Sequence, residues 1–231
     1  MSGRVGLQQL LERLMAWATA EPRKEDLLSA RREHFERRGE PHEEDRSYEV
    51  RLNGMLDAYL YEYRPSGGPT TTLERFLEAE AAALTPEEVD AYRALLSSVN
   101  ALFEVRKIKD GVVVVRDVFS ATEYDVTERR TTAGLEKGDL LEARLLPFDG
   151  TLFFSGAFLY HPREARKPIL AEVKRLKKAA GRGSTPDVRA FLAQLARMAM
   201  KLERYRNVRL ESIYDFSPEA RTATPRPAKT G

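Results

Sequence analysis

Histidine serves both metal binding and acid–base catalysis, and this chain has three: His34, His42 and His161. No two stand at the i, i+4 spacing that puts a ligand pair on one helix face. His42 precedes Glu43, Glu44 and Asp45, a set of oxygen donors that reads better as a solvated acidic loop than as a cation site. Cysteine is absent, which excludes thiolate zinc, iron–sulfur clusters, disulfides and cysteine nucleophiles. Ser155-Gly156 lacks the Gly-x-Ser-x-Gly elbow of a serine hydrolase. Gly181-Arg182-Gly183-Ser184 has neither the lysine nor the spacing of a phosphate-binding loop, and no dinucleotide fingerprint occurs. The paired carboxylates Glu87 and Glu88 follow Thr85-Pro86 and are accounted for by helix capping. No coherent catalytic set emerges. The expectation is a protein that is not an enzyme, with no catalytic residue, no metal and no cofactor.

Binding chemistry is better represented. Residues 161–182 hold Arg163, Arg166, Lys167, Lys174, Arg175, Lys177, Lys178 and Arg182 against only Glu164 and Glu172. A basic amphipathic helix suits an acidic protein, nucleic acid or an anionic membrane surface. Helical phasing keeps Lys174, Arg175, Lys177 and Lys178 off the apolar line of Ile169, Val173 and Leu176. Arg129 and Arg130 fall in an expected loop at the rim of the β-rich region, where they would meet phosphate or an acidic peptide. Tyr59 and Tyr63 share a helix face and belong to the core. Tyr61 projects elsewhere, beside Arg64, and an exposed tyrosine–arginine pair fits a protein interface. The expected partner-binding residues are therefore Lys174, Arg175, Lys177, Lys178, Arg129, Arg130, Tyr61 and Arg64.

The elements that must carry these residues follow from periodicity. Leu7, Leu10, Leu11, Leu14 and Ala18 predict a helix over about 5–19, Pro22 opens a second to about 38, and a third spans about 46–63. Pro65-Ser66-Gly67-Gly68-Pro69 breaks the chain. Thr71/Glu74 and Thr85/Glu88 have capping-box spacing and start two more helices. Near residue 101 the period changes to alternation. Asp110-Gly111 and Asp149-Gly150 are two-residue hairpin signals. Strands are expected from about 101, at 112–115, 123–127, 140–146 and 151–160. The helical period returns near Pro168, and Thr185 with Pro186 predicts the start of a last long helix. The fold class is α+β: N-terminal helices, a central small antiparallel β-barrel or curled sheet of about five strands, and C-terminal helices. The divisions are 1–44, an N-terminal helical region; 45–100, a helical segment packed on the barrel; 101–160, the barrel; 161–216, C-terminal helices; and 217–231, a disordered tail rich in proline and small residues.

Residues 48–163 resemble a group of uncharacterised bacterial proteins in which a helical segment leads into a small β-barrel, sometimes fused to a cysteine-rich SEC-C tail. The resemblance runs through Leu56–Arg64, the Gly-Gly-Pro-Thr turn, Leu73–Leu77, Leu84–Glu88, Leu102–Val105, Val115–Val118, Glu123–Val126 and Leu135–Asp139, ending at Ala143-Arg144-Leu145. Two departures stand out. Phe119-Ser120-Ala121-Thr122 lacks the glycine usual in that hairpin, and without cysteine there is no SEC-C tail. The group has no agreed function, so the resemblance implies a fold and no activity.

Charge and composition complete the reading. Apolar residues make up 42% and charged residues 32%, the latter above the ~25% of an average soluble domain. The longest aliphatic run, Val112–Val115, is far too short for a membrane-spanning helix. Arg4, Glu12 and Arg13 interrupt the first twenty residues in a way a secretory signal would not. A bacterial, cytoplasmic protein is expected. Net charge is only +2, yet residues 1–100 carry 13 basic and 19 acidic side chains, and 101–231 carry 25 and 17. Unlike faces meeting within one chain or in a homodimer would explain the split, as would two different partners. The function expected is a non-enzymatic protein–protein interaction or regulatory protein. It would act on an acidic surface of a bacterial signalling or polarity protein, such as a small GTPase or its regulator. The alternative is nucleic-acid binding through 161–182 and the barrel rim.

Overall fold

The structure, a computed structural model, describes residues 2–127, 134–181, 183–205, 207–217 and 219. Five helices come first: α1 (Ser2–Ala18), α2 (Lys24–Arg38), α3 (Tyr48–Tyr61), α4 (Thr72–Glu80) and α5 (Pro86–Leu95). Five strands follow: β1 (Val99–Lys109), β2 (Val112–Asp117), β3 (Glu123–Thr127), β4 (Leu140–Phe148) and β5 (Thr151–His161). Then come α6 (Arg166–Ala180), α7 (Val188–Arg204) and the short α8 (Leu210–Ile213). Both capping boxes form. Thr71 and Thr85 each accept from the backbone N–H of a glutamate three residues on, and Glu74 and Glu88 reach back to the cap. The strands close into a barrel in the order β1-β2-β3-β5-β4.

The Asp-Gly hairpins form as their chemistry demands. Lys109 pairs with Val112 and Phe148 with Thr151. Both central residues of each turn take positive φ: Asp110 51° and Gly111 79°, Asp149 49° and Gly150 69°, as a type I′ turn requires. The β2–β3 connection solves the same problem without glycine, for there Ala121 sits at φ 64°. A left-handed alanine is strained, and Ala121 is exposed with no compensating packing. Ala121→Gly is therefore expected to stabilise the fold by about 1 kcal/mol, the strain relieved less the extra chain entropy of glycine. Urea unfolding checks this, and a destabilised variant would contradict it.

Two expectations need correction. The barrel is not wholly antiparallel, because β3 and β5 run parallel, joined at Val126↔Leu152. A closed ring with an odd number of strands cannot alternate direction all the way round, so closure forces one parallel pair. The cap of α7 is Asp187 and not Thr185, its carboxylate accepting from the Ala190 N–H at 2.9 Å. An aspartate at that position both caps and meets the positive helix end. In α6, Pro168 falls in the first turn, where its missing N–H leaves no bond unmade. The expected tail, 217–231, lies outside the described residues except for Ser217 and Glu219.

Packing forms three apolar clusters. Inside the barrel lie Phe103, Val105, Val115, Leu141, Leu145 and Phe158. On one outer side, α1, α3, α4 and α5 cover Leu146 and Phe153. On another, α6, α7 and α8 cover Leu102 and Leu140. Helices thus cover the outward side of much of β1 and β4, so strand residues of either parity are buried there. Phe153 is buried in the outer cluster, while its neighbour Phe154 lies inside with Phe158. The hydroxyls of the buried Tyr59 and Tyr92 donate to the carbonyls of Ala18 and Leu10, tying α1 to the core. Among the described residues no helix is long and apolar enough to cross a membrane.

Candidate functional site

α6 is amphipathic by phasing. Ile169 and Val173 are buried against the C-terminal cluster, while Lys174, Arg175, Lys177 and Lys178 are all exposed. Their surroundings divide them. Arg175 grips Glu172 at 2.7 and 2.8 Å, and Lys177 donates to the Phe119 carbonyl at 2.6 Å. Just ahead, Arg163 pairs with Asp139 and Glu136, and Arg166 pairs with Glu104 and donates to the Gly138 carbonyl. Lys167, Lys174 and Lys178 have no ion pair or side-chain hydrogen bond among the described residues. They stand at i, i+7 and i+11 and form one exposed stripe.

α7 is basic too, and its arginines are used internally. Arg189 pairs with Glu62 at 2.6 Å and Arg204 with Asp45 at 2.6 Å. Arg197 donates to the carbonyls of Glu36 and Arg37 at the end of α2, next to its positive-φ cap Gly39. Part of the charge asymmetry between the halves is therefore an intramolecular contact. Lys167, Lys174 and Lys178 of α6 are among the cations left over.

The other expected residues separate. Arg129 and Arg130 lie outside the described residues. Arg64 is exposed and holds the turn after α3 by donating to the carbonyls of Pro69 and Glu62. Tyr61 departs from its expected exposure. The hydroxyl is buried, and the ring lies under Arg144, whose guanidinium carbon is 5.0 Å from the ring centroid. Tyr61 faces a cavity of about 620 Å³ bounded by α2, α3, α7 and the β4–β5 side of the barrel.

The cavity is polar. Asp57 and Tyr61, one helical turn apart on α3, line it opposite Arg144 of β4. Burial pushes the Asp57 carboxyl up to about 6, opposed by a hydrogen bond from Ser155 and the field of Arg144. Burial also raises the Tyr61 phenol, as does the Asp57 charge. Against its own burial penalty, Glu62 is held below the usual carboxylate range by Arg144 and Arg189. His34 is lowered to about 3 by burial and by Arg38, Arg189 and Arg37, against the pull of Glu62, so the ring is neutral at physiological pH. Arg38 pairs with the buried Glu142 at 2.6 Å. The signals for this site were modest: the i, i+4 spacing of Asp57 and Tyr61, and two charges, Glu142 and Arg144, inside the otherwise apolar strand Leu140–Leu146.

Helices wrapped around a small closed barrel leave a charged cavity at their junction. The chain belongs to a family of unknown function, DUF7986, whose model matches residues 30–198. That span takes in every residue lining the cavity and the whole of α6. No curated protein and no solved structure matches the chain.

Proposed function

We propose that this is a non-enzymatic interaction protein of regulatory type that docks an acidic protein on the exposed lysine stripe of α6. The carrying observation is that Lys167, Lys174 and Lys178 are aligned, exposed and uncommitted while the α7 arginines are engaged within the chain. A positive stripe on a rigid helix raises the encounter rate with an acidic surface. The absence of cysteine accords with work in a bacterial cytoplasm, and a client of the signalling class fits a module without chemistry of its own.

Nucleic acid is the competing reading, favoured by the closed five-stranded barrel with a non-sequential strand order. Barrels of that kind bind oligonucleotides on the β2–β3 face. Here that face carries Arg116 beside the exposed Glu123 and Asp125, and Tyr124 turns inward to meet Phe103 edge-on at 5.9 Å. It offers no stacking platform and little net positive charge.

Titrating the purified protein with poly-L-glutamate and, separately, with a single-stranded oligonucleotide tests the choice. The acidic polypeptide should bind in a salt-sensitive way, and Lys167→Gln/Lys174→Gln/Lys178→Gln should weaken it about tenfold at low salt. Tighter binding of the oligonucleotide, lost in the same variant, would select the competing reading.

A further inference from the structure

Buried polar atoms normally find partners, and those that do not call for an explanation. Six side-chain atoms among the described residues are buried without a protein partner, and four belong to residues lining the one cavity: Arg51 Nη2, Asp57 Oδ2, Tyr61 OH and Arg144 Nε. Neighbours engage other atoms of the two arginines. Arg144 gives one Nη to Ser98 and the other to Glu62, leaving Nε. Arg51 gives Nε to Ser47 Oγ at 2.7 Å, and its buried Nη2 has no protein partner. The unused set is rich in donors: two guanidinium nitrogens and a phenol, against a single carboxylate oxygen.

The charge inventory points the same way. Arg37, Arg38, Arg51, Arg64, Arg144 and Arg189 line the cavity. The carboxylates that line it are fewer, and three already hold arginines: Glu62 with Arg144 and Arg189, Glu142 with Arg38, and Glu33 with Arg37. The fourth is Asp57. A volume near 620 Å³ is within the range of small-molecule sites.

We propose that this cavity is a binding site for a small organic oxyanion bearing a hydroxyl group, the anion taken by Arg144 Nε and Tyr61 OH and the hydroxyl by Asp57. Arg51, also on α3 and also lining the cavity, supplies a further donor. Guanidinium matches carboxylate and phosphate equally well by geometry, so the shared chemistry is the oxyanion. The site is separate from the α6 stripe, and its failure would leave the docking reading standing.

Thermal unfolding of the full chain, followed with malate, glycerol 3-phosphate and the neutral polyol erythritol, tests the proposal. Malate or glycerol 3-phosphate should raise the unfolding temperature saturably, and erythritol should not. Which acid acts identifies the anionic group. Tyr61→Phe should unfold near the wild-type temperature in buffer, since its hydroxyl bonds no protein group, yet bind the anion about tenfold more weakly. Asp57→Asn should weaken malate more than succinate, which lacks the hydroxyl. The lysine-stripe variant should respond as wild type does. No saturable shift with either acid, an equal shift with erythritol, or a shift unchanged in both Tyr61→Phe and Asp57→Asn would overturn the proposal.

Discussion

Phe103→Ala is expected to cost the fold about 3–5 kcal/mol. Phe103 is fully buried in the barrel, on the strand that pairs with both β2 and β4, opposite Asp117 and Leu141 respectively. Its ring meets Tyr124 of β3 edge-on. Truncation removes the transfer energy of the ring and leaves a hole that the hydrogen-bonded barrel wall cannot collapse to fill. Urea unfolding gives the number directly. A loss below about 1 kcal/mol would mean that β1 does not direct this side chain inward.

Glu62→Ala should approach the same size, at about 3 kcal/mol, for an electrostatic reason. Glu62 receives Arg144 and Arg189 together. Arg144 is only 4% exposed, so removing its counter-ion leaves a guanidinium in a poorly solvated place with a single side-chain bond, to Ser98. Arg189, more than half exposed, recovers its hydration and contributes little. The double variant Glu62→Ala/Arg144→Met separates the pair from the packing. It should be more stable than Glu62→Ala alone, because the stranded charge is gone. Strictly additive losses would show that Arg144 does not depend on Glu62.

These effects mark what a sequence displays and what it hides. The Asp110-Gly111 and Asp149-Gly150 turns, the two capping boxes and the Leu7–Ala18 stripe are local, and each is legible because a few adjacent residues meet one backbone demand. The alternation of β1 is legible as a strand but not as a face, since Leu102 is covered by α6 and α7 just as Phe103 is covered by the barrel. Parallel closure between β3 and β5 is a property of the ring and of no residue in it. The α6 cations stood out from their density alone. Sorting the engaged Arg175 and Lys177 from Lys174 and Lys178 required Glu172 and the Phe119 carbonyl to be placed in space. The cavity was hidden more deeply. Tyr61 reads as an exposed aromatic until Arg144, more than eighty residues on, closes over it.

The central claim is that the uncommitted lysine stripe of α6 holds an acidic protein. Capture from native extract, with and without nuclease, tests it most directly, with three baits: wild type, Lys167→Gln/Lys174→Gln/Lys178→Gln, and the control Arg175→Gln/Lys177→Gln. The stripe variant should fold, since exposed, unpaired substitutions move stability by less than about 0.5 kcal/mol each, and circular dichroism checks the folding of the control, whose Arg175 holds the buried Glu172. The account predicts that wild type and control retain the same acidic protein and that the stripe variant loses it. Equal retention by all three baits, or a partner that disappears with nuclease whichever bait is used, would contradict it.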